Sequence, residues 1–161
     1  MHEKNVALYE RHKVFSRAEL LSRLEISLEN YCKLCNIEAV TMYKLVKKNI
    51  LYVATSYAGE LSAAAAAKTA LLPNADCTYE RDTVRRLSEL SAGMHKKVTE
   101  LYSALCEAEE KQDALEKALF FKDAVRTKME ELRELADELE LLVSRKHWPF
   151  PTYGDLLFSV R

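Results

Sequence analysis

No proline occurs in this chain before Pro73, and none between Pro73 and Pro149. Only two glycines, Gly59 and Gly93, precede the last dozen residues. Sandwiches, barrels and most α/β folds use Gly and Pro at many turns, so this scarcity excludes them. It leaves long helices. The 48% hydrophobic and 30% charged fractions suit a folded chain with long exposed helical faces. One hundred and sixty-one residues is a one-domain length.

Three helices are expected, and their starts are marked. Ser16-Arg17-Ala18-Glu19 reads as a capping box, with Val14 or Phe15 as a staple ahead of it. A helix from Arg17 meets no breaker until Leu72-Pro73-Asn74-Ala75-Asp76. Gly59 is its one weak point. Unbroken, it would reach about 80 Å at 1.5 Å per residue. Its seam is Met42, Val46, Ile50, Val53, Tyr57, Leu61 and Ala64. The second helix starts after Asp76 to Thr78, with seam Val84, Leu87, Ser91, Met94, Val98, Leu101, Leu105 and Ala108. Those steps alternate three and four, which marks a coiled-coil-like stripe. Asp113-Ala114-Leu115-Glu116 starts the third helix after a tight turn near Gln112, although one unbroken helix through Gln112 is the alternative. The third seam is Ala118, Lys122, Val125, Met129, Leu132, Ala136, Leu139 and Val143, with Lys122 snorkelling.

The expected fold is therefore all-α: long helices forming an antiparallel three-helix bundle or coiled-coil hairpin, with a short irregular or strand-like C-terminal tail. Residues 1–15 form an N-terminal segment with a short helix, 16–72 the long first helix, 79–147 the antiparallel hairpin and 148–161 the aromatic tail. The early half of the first helix overhangs the hairpin. Leu21, Leu24, Leu28 and Tyr31 share a face there and need burial, from Asn5 to His12 folding back or from another domain. The tail gathers Trp148, Phe150, Tyr153 and Phe158 around Pro149, Pro151 and Gly154. So apolar a terminus needs a surface to bury it.

The chemistry-bearing residues are sparse. Net charge is −1, so no global basic field recruits nucleic acid. Lys47-Lys48 and Lys96-Lys97 read as solvated faces. Cys32-Lys33-Leu34-Cys35 is a CxxC pair, but it sits well inside a helix rather than at its N-terminus, and Cys77 and Cys106 are isolated. His2, His12, His95 and His147 have no helical ligand spacing with Glu or another His. The Glu107 to Glu110 and Glu130-Glu131 runs alternate with lysines and arginines as surface pairs. No Gly-rich loop offers a phosphate cradle, and no Ser-His-Asp grouping stands out. No catalytic, cofactor-binding or metal residue is assigned. The charged N-terminus reads as no signal peptide, and no stretch approaches the apolar length of a membrane helix. A cytoplasmic setting with reduced cysteines is expected.

Several stretches resemble one family. Arg11-His12-Lys13-Val14-Phe15-Ser16-Arg17-Ala18-Glu19-Leu20 and the Trp148 to Arg161 tail resemble the C-terminal end of a type III glutamine synthetase. So do Tyr31-Cys32-Lys33, Asn36-Ile37-Glu38-Ala39, Met129-Glu130-Glu131-Leu132-Arg133 and Ala136-Asp137-Glu138-Leu139-Glu140, in the same order. The resemblance runs from about Glu3 to Val160 and is looser between Ala54 and Asp113. It implies a non-catalytic piece of a much longer ATP-dependent ligase, which joins glutamate and ammonia with ATP and Mg and assembles as a large ring. Its metal-binding carboxylates lie upstream, so none is carried onto this chain. The implied partners are the upstream catalytic domain and neighbouring subunits, in a homo-oligomer. Val14-Phe15-Ser16 and the tail resemble two pieces that lie closer together in shorter glutamine synthetases, which makes the hairpin an insertion. A free-standing helical interaction module is the alternative reading.

Overall fold

The structure, a computed structural model, describes residues 2–151 and 153–158. All regular structure among them is helical. Helix α1, Glu3–Arg11, closes with the backbone in the left-handed region at Lys13, φ 53°. There the Lys13 amide donates to Glu10 O and the Val14 amide to Tyr9 O, each at 3.0 Å. These two bonds satisfy carbonyls that a helix end would otherwise orphan.

Three residues later the expected capping box is formed. The Glu19 amide donates to Ser16 Oγ at 3.3 Å, and Ser16 N donates to Glu19 Oε2 at 2.8 Å. Helix α2, Arg17–Leu45, leads through a π-helical turn, Val46–Ile50, into α3, Leu51–Leu71. The path is continuous, and Gly59 does not break it. It stops where Leu72, ahead of Pro73, turns extended, as residues preceding proline favour.

Asp76 Oδ1 accepts from Thr78 N at 2.8 Å and from Thr78 Oγ1 at 2.6 Å, starting α4, Thr78–Glu110. Residues 111–113 are not helical, so the helix is interrupted near Gln112 as expected. Asp113 Oδ2 accepts the Glu116 amide at 2.8 Å and caps α5, Ala114–Phe120. The Glu116 carboxylate does not close a capping box. It is held by Lys111 at 2.8 Å instead. A second π turn, Phe121–Val125, joins α5 to α6, Arg126–Leu142.

Cross-helix pairs fix the directions. Arg86 Nε–Glu138 at 2.7 Å, Lys97–Glu131 at 2.7 Å and Lys128–Glu100 at 3.8 Å join α4 to α6 with opposite polarity. Lys68–Glu80 and the Tyr43–Tyr102 ring pair, 5.2 Å apart, do the same for the first helix and α4. Leu87, Met94, Val98, Leu101, Phe121, Val125, Leu132 and Leu139 are fully buried between them, and Val46, Ile50 and Ala54 come in from the first helix.

Several seam assignments shift. Phe121, not Lys122, enters the core, and Lys122 is exposed. A large ring gains more from burial than a lysine stem, and 118–121–125 is as good a helical step as 118–122–125. Leu90 is buried more deeply than Ser91, and Thr83 more than Val84. Ala64 is exposed, while Ala39 and Ala54 are buried. The two π turns explain part of this slippage, because each adds a residue and rotates the buried face.

The expected irregular or strand-like tail is irregular through residue 151 and then helical rather than strand-like. Ser144 O accepts the amides of His147 and Trp148, and Trp148 and Phe150 pack edge to face with centroids 6.1 Å apart. Both rings lie against the chain's own core. Beyond them, Tyr153–Phe158 forms a short helix, α7, tied by an Arg145–Asp155 ion pair. The expected tail residues Thr152, Ser159, Val160 and Arg161 lie outside the described residues.

Candidate functional site

The CxxC pair is core, not chemistry. Cys32 and Cys35 are both buried, and burial pushes the Cys32 thiol above its ordinary value, with nearby Lys117 pulling weakly the other way. That is the opposite of what a nucleophilic or redox thiolate requires. Cys77 is buried with Thr69 Oγ1 and Ala65 O each 3.7 Å from its sulfur, and Cys106 is exposed. Among the described residues no group of three or more His, Cys, Asp or Glu is placed to hold a metal. None of their helices is long and apolar enough to cross a membrane.

His2, His12 and His95 are exposed and separate. His147 is different. Its Nε2 lies 3.1 Å from Glu60 Oε2, its ring stacks 5.2 Å from Tyr57, and its Nδ1 is buried without a hydrogen-bond partner. This cluster pins the end of the α6 segment to α3. Sequence reading missed it because its members are distant in the chain and follow no local spacing. Glu130 pairs with Arg126 and Glu131 with Lys97, so those carboxylates serve helix surfaces as expected.

The overhang is where apolar surface and special backbone features coincide. Glu3 pairs with Arg17 at 3.0 Å, and Glu10 accepts the Arg17 amide at 3.1 Å. Tyr9 packs on Phe15, with Arg23 4.4 Å above the Phe15 ring. Helix α1 thus folds back beside the start of α2, and Leu28 and Tyr31 pack on the core. Yet Leu21 stays 50% exposed and Leu24 39%. They edge a groove of about 870 Å³ between α2 and the α4–α5 turn, floored by Leu28 and Phe121. In the tail, Leu157 and Phe158 of α7 are 73% and 83% exposed.

Residues 1–69 match the family described as glutamine synthetase C-terminal domain. Over 159 residues, 99% of its length, the chain is 36% identical to a glutamine synthetase of Butyrivibrio fibrisolvens, covering 23% of that protein. The chain is 30% identical to a type-3 glutamine synthetase of Dictyostelium discoideum over 164 aligned residues, 22% of that protein. A glutamine synthetase of Bacteroides fragilis (strain YCH46) is 27% identical over 153 residues, 21% of its length. The chain spans less than a quarter of the length of these curated relatives. The family read from the two ends of the sequence is the one these comparisons return: residues 1–69 match its C-terminal domain, and nearly the whole chain is similar to glutamine synthetases, one of them a type-3 enzyme.

Proposed function

We propose that this chain is the non-catalytic, helical C-terminal region of a glutamine synthetase, working as a structural element in subunit or ring assembly. The observation that carries the reading is the likeness over 99% of this chain to only 23% of a relative. In it, the long first helix and the α4–α6 hairpin act as one three-helix, coiled-coil-like body divided as 1–15, 16–72, 79–147 and 148–161. The whole enzyme is a cytoplasmic, homo-oligomeric ligase that makes glutamine from glutamate and ammonia with ATP and Mg. Its upstream catalytic domain and neighbouring subunits are the partners of this region. The exposed Leu21–Leu24 edge and α7 are the surfaces such partners would cover. Leu28, Tyr31, Trp148 and Phe150 are satisfied within the chain and drop out of that role.

The test has two arms. The purified chain, given glutamate, ammonia, ATP and magnesium, should form no glutamine above a blank. Turnover abolished by a point change within the chain would overturn the reading. In a full-length enzyme carrying this region, Leu21→Asp with Leu24→Asp should reduce the assembled fraction in sedimentation. Unchanged assembly would remove the structural role while leaving the family likeness intact.

A further inference from the structure

A second groove, distinct from the overhang, lies between α2 and α6 and encloses about 530 Å³. The two helices run in the same direction, since Tyr31 meets Arg126 near one end and Glu60 meets His147 near the other. The floor is apolar, including Val46, Ile50 and Leu132, and Trp148 and Phe150 line it as well. Two features separate it from an ordinary crevice between packed helices. One is the π turn Val46–Ile50, which lines it; such turns recur at functional sites. The other is charge. Four charged side chains line the groove: Arg133 and Asp137 on α6 pair with each other at 3.5 Å, whereas Glu38 on the α2 wall and Glu140 on the α6 wall form no ion pair with any described residue. The groove runs from Ile37 to Ile50, about 20 Å at 1.5 Å per residue, or some three helical turns.

We infer that this groove is a docking site for an amphipathic helix of about three turns whose apolar stripe is flanked by lysine or arginine. The apolar floor takes the stripe, as in helix-in-groove recognition. Glu38 and Glu140 take the flanking cations, one from each wall, which fixes the helix in the groove rather than across it. The proposal does not depend on the enzyme reading, because it rests on groove, turn and charge alone.

Trp148 is the chain's one tryptophan and lines the groove, so its fluorescence reports occupation. The probe is a synthetic 14-residue helix with leucines three and four apart and lysine flanks. Its twin carries glutamate flanks. The lysine probe should shift Trp148 emission saturably and bind roughly tenfold tighter than the twin, an advantage reduced by salt. Glu38→Lys with Glu140→Lys should abolish that preference. Ile37→Asp, at an exposed position on the groove's edge, should weaken both probes. Far-UV circular dichroism confirms that each variant keeps its helices. Equal binding of the two probes, or an unchanged preference in the double variant, would overturn the inference. So would an emission shift on simple dilution of the chain, which would make a second copy the occupant.

Discussion

The overhanging start of α2 and the middle of α4 are equally helical but are held by different forces. Around Arg17 the backbone is fixed locally: a left-handed residue at Lys13, a capping box at Ser16 and Glu19, and Glu3 and Glu10 reaching across to Arg17. Its leucines remain half exposed. Around Leu101 the surface ion pairs are incidental, and the helix is held by side chains with no contact with water. Local bonding decides where a helix begins. Burial decides which part of it the fold depends on.

The strongest test of this difference is truncation of one leucine on each side. Leu101→Ala and Leu132→Ala should each cost about 2–5 kcal/mol in denaturant unfolding, because both are fully buried. Leu21→Ala should cost under about 1 kcal/mol. Comparable losses at both places would show that the overhang is part of the same cooperative core.

Next in size is the cap. Ser16→Ala should cost about 1 kcal/mol, and the loss should be read locally. Hydrogen exchange should quicken in the first turn of α2 while amides near Leu101 and Val125 keep their protection. A uniform rise in exchange would mean that α2 frays only when the whole molecule unfolds.

Gly59→Ala should act in the opposite sense, stabilising by about 0.5–1 kcal/mol. A methyl built at Gly59 meets nothing within 4 Å. Gly93→Ala should behave similarly, since its methyl would sit 3.8 Å from Leu135 Cδ1, an ordinary contact. A loss at Gly93 would show that α4 and α6 tolerate no added atom there.

What the sequence disclosed follows the same division. The capping box, the Asp113 cap, the stop before Pro73 and most of the α4 seam were legible, because each is set by neighbours in sequence. The replacement of Lys122 by Phe121 was not, because two registers have equally good spacing and only the packed partner decides between them. The π turns were invisible for a similar reason: they adjust phase between helices whose separation is a tertiary property. The groove between α2 and α6 was beyond reach altogether. Ile37, Glu38 and Glu140 belong to stretches that carried the family resemblance, yet nothing local marks them as walls of one space. The inward turn of Trp148 and Phe150 also escaped, since an apolar tail fits its own core and a foreign one equally well on composition.

The smallest effect expected is on acid stability, and it should divide the two regions again. Hydrogen bonding from Lys68 holds the Glu80 carboxyl below its ordinary value, and hydrogen bonding from Lys97 does the same for Glu131. At the overhang, Arg17 lowers Glu3, and the Ser16 backbone lowers Glu19. A carboxyl whose value is lower in the folded chain contributes stability that is full above the ordinary carboxylate range. That contribution is lost as pH falls through that range toward the folded value. The Glu80 side chain is only 7% exposed, so its loss should reach the global midpoint. Glu80→Gln should therefore flatten the fall of Tm with pH below about 5. Glu19→Gln should leave the global curve unchanged and remove only the pH dependence of exchange in the first turn of α2. If Glu19→Gln flattens the global curve as much as Glu80→Gln does, the cap belongs to the core after all.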